Sequence, residues 1–254
     1  MTPASDPGPA PWFVEAFRAD YLDVYAHRDE AAASREVRGA LSLLRHDRER
    51  GHLLDLAAGA GRHSQAFQAE RCNVTCLDLS ADLVNACAER GLRTVRADMR
   101  AIPFRDWAFD SVACLFSSFG YFDDDAQHQQ TLDEIARVLA PEGAVLLDLM
   151  DRDTVRMHLV PQSVDIIDEA VIEVERALVD DGRRVEKSIR LVRNDCQSRS
   201  WLESVRLFTA PEIEAMARRA KLEVETVVGD YDGRPHKPGE TRRLVVLRKP
   251  RGDS

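Results

Sequence analysis

The stretch LLDLAAGAGRHS, Leu53 to Ser64, runs from an apolar segment ending on an acid into a small-residue loop and then into a basic pair. An apolar run followed by a glycine loop is how a buried strand hands over to a helix in nucleotide-binding proteins. A dinucleotide loop reads G-x-G-x-x-G, its third glycine permitting close packing of helix on strand. Gly59 and Gly61 supply the first two positions, but Ser64 stands at the third. The Gly-Lys-Ser/Thr of a phosphate-binding Walker loop is absent, with Arg62 and His63 following Gly61 instead. Taken alone, the loop is a weak pattern that a plain tight turn also explains.

Working outward, short apolar runs alternate with amphipathic segments. Strands are expected at 52–57, 73–79, 92–98, 109–118 and 144–150. Helices are expected at 62–71, after an N-cap at Ser80 up to a stop at Gly91, and over the segment ended by Pro141 and Gly143. The leader Phe13 to Leu44 reads as helical with a break at 26–30. Strands alternating with helices imply a parallel sheet covered on both faces. From about Val164 the texture changes to period-two alternation, with DDGRR (Asp180 to Arg184) as a hairpin turn in which Gly182 takes positive φ. A helix starting at Thr209 and two closing strands follow. The expected fold class is α/β: a Rossmann-like, doubly wound sheet of mostly parallel strands, with an antiparallel last strand and an inserted antiparallel β lid. The divisions are residues 1–50 as leader and covering helices, 51–160 and 209–254 as core, and 161–208 as lid.

Acids flank the loop. Asp55 opens it, Asp78 ends the second strand in CLDLS, and Asp98 ends the third in RADMR. A carboxylate at the end of strand two suits a ribose diol. A carboxylate beside an apolar Met99 suits the edge and face of an adenine. Three acids make a poor phosphate cradle and a good site for a cationic nucleoside without phosphate. In this order the motifs resemble the class I S-adenosylmethionine-dependent methyltransferases: LLDLAAGAG, CLDLS, VRADMRAIPF, FDSVACLFSSFGYF and RVLAPEGAVLLDL. The resemblance is strong over about residues 50–150. It departs from the family at the first loop glycine, which is Ala57; alanine still allows close backbone approach when its φ is negative.

The resemblance implies S-adenosylmethionine as cofactor, with S-adenosylhomocysteine as product. It places Ala57, Gly59 and Gly61 along the methionine moiety, and Arg62 either against its carboxylate or as a helix cap. Asp78 would take the ribose, Leu79, Asp98 and Met99 the adenine, and Phe116 and Ser117 would stand near the sulfonium. Tyr21 or Tyr25 from the leader would reach the methionine carboxylate, or else serve as ordinary helix contacts. Methyl transfer needs alignment and exclusion of water more than a base. The candidates for a base are His128, read as a surface helix residue, and Asp148. Tyr121, Tyr231 and Arg234 are candidate substrate contacts, because the inserted segment and the loop Gly229 to Glu240 are expected to cover the cofactor edge.

Composition narrows the partners. The net charge of -9 disfavours nucleic acid, whose phosphates need clustered Lys and Arg. No apolar run is long enough to span a bilayer, and MTPASDPGPAPWF is not a secretory signal. Five cysteines without a C-x-x-C pair argue for reduced thiols in a cytoplasmic protein, with no metal site. The reading is therefore O- or N-methylation of a small-molecule acceptor by a monomer or homodimer, with no nucleic-acid or membrane partner. The alternatives are a protein or RNA acceptor, a cofactor-binding protein without turnover, and an NAD-dependent oxidoreductase, which the missing third glycine disfavours.

Overall fold

A computed structural model of the chain describes residues 10–18, 30–167, 170–193 and 198–251. Tyr21, Tyr25 and Cys196 lie outside the described residues. The strands are β1 (His52–Leu56), β2 (Asn73–Asp78), β3 (Thr94–Arg96), β4 (Phe109–Cys114), β5 (Leu139–Met150), β6 (Gln162–Ile167), β7 (Ala170–Val179), β8 (Arg184–Val192), β9 (Ser198–Arg206), β10 (Glu223–Val228) and β11 (Arg242–Arg248). The helices of the described residues are α1 (Trp12–Ala16), α2 (Glu30–Leu44), α3 (Arg62–Ala69), α4 (Ala81–Glu89), α5 (Asp125–Val138), α6 (Arg152–His158) and α7 (Ala210–Arg219). None is long and apolar enough to cross a membrane.

Seven strands form the central sheet in the order β10-β11-β5-β4-β1-β2-β3. Its strands are parallel except β11, which runs antiparallel to both β5 and β10. The apolar runs are buried on two faces, as a doubly covered sheet requires. On β1, Leu53 packs with Val37, Leu41 and Phe67 from α2 and α3, while its neighbour Leu54 packs with Leu132, Ile135 and Ile213 from α5 and α7. The same alternation separates Leu146 from Leu147 on β5.

Local chemistry sets most boundaries. Ser80 caps α4, its hydroxyl accepting from Leu83 N at 3.3 Å. Thr209 and Glu212 form a reciprocal capping box on α7. Helix α5 ends at Val138, earlier than the sequence suggests. Pro141 drives the residue before it out of the helical region, so the chain is already extended from Leu139 and enters β5 there. Strand β4 likewise stops at Cys114, because Phe116 and Ser117 both have positive φ.

The second sheet, β6-β7-β8-β9, is antiparallel throughout and is inserted between β5 and α7. Its β7–β8 hairpin turns through Asp180, Asp181 and Gly182, all at positive φ. Two buried arginines fasten it to the core. Arg184 donates to Phe122 O at 2.7 Å and to Ser204. Arg206 pairs with Asp125 at the start of α5 and with Glu212. Gly120 completes the joint, since a Cβ there would lie 2.7 Å from Arg206 O.

Another glycine fixes the opposite face. A Cβ on Gly39 of α2 would lie 2.1 Å from the Tyr231 carbonyl oxygen. Alanine is a better helix former by about 1 kcal/mol, but the obstacle is backbone, and overpacking of this kind costs about 1–3 kcal/mol. Gly39→Ala should therefore lower the melting temperature by several degrees in a thermal scan. An unchanged or higher melting temperature would mean that α2 does not seat on the Tyr231 loop.

Candidate active site

The carboxyl ends of β1, β2, β4 and β5 open onto a cavity of about 1270 Å³. It runs from the glycine loop, past the lip at 116–121, to the inner face of the second sheet, where Val185, Lys187, Glu203 and Val205 line it. The sequence-expected residues Ala57, Gly59, Arg62, Asp78, Leu79, Asp98, Met99, Phe116, Ser117, Tyr121 and Asp148 all line this cavity. Gly61 lies beneath it.

The loop keeps left-handed turns at Ala57 (φ 58°), Gly59 (φ 59°) and Gly61 (φ 80°). The negative φ expected for Ala57 is thus not what the chain adopts. Alanine holds the glycine conformation at a cost of about 1–2 kcal/mol, because its Cβ crowds the following carbonyl. Hydrogen bonds of the next residue pin it there, Ala58 N donating to Leu77 O and Gly61 N donating to Ala58 O, each at 3.0 Å. Gly61 is needed for space as well: a Cβ there would meet Cys87 Sγ at 2.8 Å and Leu92 Cδ1 at 2.5 Å.

The three acids differ in state. Asp78 is buried and accepts only from main-chain N–H groups among the described residues, Gly59 at 2.8 Å and Ser80 at 2.9 Å. Burial without a cationic side chain pushes its carboxyl up from the ordinary value. Asp55 is deeper still, and burial pushes it up to about 7, opposed by the Ser64 hydroxyl that donates to it at 2.5 Å. Asp98 is different. Although burial opposes it, Arg100 grips both its oxygens and holds its carboxyl below the usual range. So two acids, not three, face the cavity without a cationic side chain of their own.

At the other side of the loop stands a cluster that sequence reasoning missed. Glu36 of α2 receives Arg62, His63 and Arg242 at 3.1, 2.8 and 3.3 Å. Against its burial, these partners bring its carboxyl down to about 2. Arg62 is the first residue of α3, and its guanidinium lies 5.0 Å from the Phe116 ring centroid, with Arg242 at 5.7 Å. Trp12 and Phe17 of the leader also line the cavity, packed on Tyr121. Only long-range pairing, such as Arg242 opposite Met150, brings these groups together.

Three expected site residues lie elsewhere. His128 is not at the surface: it is fully buried among Phe119, Phe122 and Phe208, where burial pushes it down to about 4, and it does not line the cavity. The amphipathic face of α5 carries it inward with Leu132 and Ile135. Tyr231 is also buried, its hydroxyl donating to Asp148 at 3.0 Å behind the cavity wall. Arg234 is exposed and tied to Asp230, Asp232 and Glu240 within its own loop.

The Asp78 carboxylate, bonded only to main-chain N–H groups among the described residues, fits a vicinal diol, and the apolar Leu79, Leu83 and Met99 beside it fit an aromatic base. Comparisons with known proteins agree with that chemistry. Residues 53–143 match a family model described as a methyltransferase domain. The chain is 29% identical to the cypemycin N-terminal methyltransferase of Streptomyces sp, over 78% of this chain and 82% of that protein. It is 28% identical to the dTDP-3-amino-3,6-dideoxy-alpha-D-glucopyranose N,N-dimethyltransferase of Streptomyces fradiae, over 85% and 87%. Among solved structures, the CcbJ methyltransferase from Streptomyces caelestis superposes with a TM-score of 0.80 at 14% identity, covering 93% of this chain and 98% of its own. DesVI of Streptomyces venezuelae superposes with a TM-score of 0.68 at 25% identity, over 93% and 98%. With its sheet order, its glycine loop and its buried acid at the end of β2, the chain is similar to the class I S-adenosylmethionine-dependent methyltransferases, and residues 53–143 carry the methyltransferase domain.

Proposed function

We propose that this chain methylates a nitrogen of a small polar molecule, with the acceptor held between the lip and the inner face of the second sheet. The supporting observation is the single cavity that runs from the glycine loop to Lys187 and Glu203. Its volume exceeds the roughly 300–1,000 Å³ of an ordinary ligand pocket and leaves room for a cofactor and a small acceptor together. When bound, S-adenosylmethionine supplies an electrophilic methyl group on a sulfonium. Asp78 holds the ribose hydroxyls with the lone pairs that Gly59 and Ser80 leave open. Leu79 and Met99 enclose the adenine, and Asp98, fixed by Arg100, presents its edge acceptor. The backbone from Ala57 to Gly61 lines the methionine end. The lip and the second sheet exclude water.

His63 and Asp148, which flank the lip residue Phe116, are both engaged. His63 is bonded to Glu36, and Asp148 is occupied by Phe116, Tyr231 and Arg242. An amine that binds neutral needs no base, whereas a hydroxyl does. The Streptomyces fradiae relative is named as an N,N-dimethyltransferase of an amino sugar nucleotide and the cypemycin relative as an N-terminal methyltransferase, which supports the same choice here.

A transfer screen with radiolabelled S-adenosylmethionine should give turnover on small amines, amino sugars among them, and none on matched alcohols. Turnover confined to alcohols, or binding without transfer to any acceptor, would sink the proposal. Asp78→Ala should weaken S-adenosylmethionine binding at least about 100-fold by calorimetry, since two hydrogen bonds to a charged group are lost. An affinity within a few-fold of the parent would rule out the ribose assignment.

Asp55 gives a pH signature. Its folded pKa of about 7 lies above its ordinary 3.8, so its contribution to stability is present in acid and is lost as pH rises through 7. Asp55→Asn removes that loss. The variant's melting temperature relative to the parent should therefore rise between about pH 5 and about pH 8 without cofactor. A pH-independent difference would show that Asp55 is already ionised in the fold.

A further inference from the structure

Phe116 and Ser117 are consecutive lip residues on the cavity wall, and both hold left-handed backbone, with φ of 56° and 61°. A side chain makes that conformation costly, and it persists only where the surroundings over-determine it. Here both amides are taken by one residue. Phe116 N–H donates to Asp148 Oδ2 at 3.0 Å, and Ser117 N–H donates to the Asp148 main-chain oxygen at 2.9 Å. Asp148 is 2% exposed and is itself held from behind. The Tyr231 hydroxyl donates to Oδ2 at 3.0 Å, and Arg242 Nε stands 3.3 Å from Oδ1. Tyr231 is wedged on α2 at Gly39, and Arg242 is tied to Glu36 of the same helix.

We propose that Asp148, backed by Tyr231 and Arg242, is a positioning residue for methyl transfer: it clamps the strained Phe116–Ser117 turn into the shape that lines the acceptor side of the cavity. The inference rests on the methyl-transfer reading above. It assigns Asp148 a role other than base, since both its carboxylate oxygens are already engaged. It also explains why Tyr231 is buried instead of exposed to an acceptor: its hydroxyl acts through Asp148. Reaction rates fall steeply when reacting groups are displaced by as little as an ångström, so a clamp on the lip acts on turnover more than on binding.

The test uses Tyr231→Phe, which removes one hydroxyl and keeps the ring. Amide hydrogen exchange at Phe116 and Ser117, measured on the full chain without cofactor or acceptor, should speed up about tenfold. Exchange at Leu146 and Leu147 in the core of β5 should stay unchanged. On an amine found in the transfer screen, kcat should fall about tenfold while the S-adenosylmethionine Kd and the acceptor KM stay within about twofold. Unchanged exchange at the lip would overturn the clamp. So would equal acceleration at Leu146, which would mean general loosening, or a rise in acceptor KM at constant kcat, which would return Tyr231 to the substrate. Because the exchange measurement needs no ligand, it stands whether or not the screen finds an acceptor.

Discussion

Strand β1 is flanked by β2 on one side and β4 on the other, and the chain leaves its carboxyl end toward one face while it leaves β4 toward the other. That reversal opens the crevice at the end of the sheet, because successive connections cover opposite faces and leave the edge between them bare. Everything functional is arranged around it. The glycine loop closes its floor, the ends of β2 and β3 supply its acids, and β4 supplies the lip. The long insertion after β5 can reach back over the crevice only because β5 ends at the same edge.

Much of this was legible in the sequence. Period-two and helical periodicities placed the strands and helices near their observed positions, and the acid after each of two strands pointed to the cavity. What escaped was set by long-range packing. His128 reads as a polar helix residue, yet α5 turns that face into a cluster of phenylalanines. Tyr231 sits in a polar loop, GDYDGRPHKPGE, whose composition suggests exposure, but the glycine at position 39 gives it a seat on α2. Glu36 and Arg242 are more than two hundred residues apart, and no local pattern announces their meeting. Ala57 escaped for another reason: a residue type says what is easy for the backbone, not what neighbouring hydrogen bonds will enforce.

Charge is distributed unequally along the cavity. Asp55 and Asp78 are buried with hydroxyl and main-chain donors, so the folded chain carries a local deficit of positive charge at the loop. At the other side of the loop, Glu36 has partners in excess, with two guanidiniums and an imidazole around one carboxylate. A ligand that is cationic in its middle and anionic at its amino-acid end matches that gradient. The same gradient repels a chain of phosphates lying against Asp78.

The two buried arginines that fasten the second sheet have a consequence for how firmly it is held. Removing their partners would leave two buried guanidiniums unsatisfied, which is costly even though Asp125 and Glu212 themselves reach water. The edge of the sheet carrying Arg184 and Arg206 is therefore costly to detach from the core. The segment 10–18 meets the sheet on another side. There Ala16 is buried against Ile172, Val174, Ile189, Leu191 and Trp201, with hydrogen bonds from Trp12 Nε1 to Tyr121 O, from Ser80 Oγ to Phe17 O and from Arg199 to Glu15 O around it. The inserted sheet is thus anchored twice over, by buried guanidiniums at one edge and by apolar packing at another, so the wall it gives the cavity is built as part of the core and not as a separate flap.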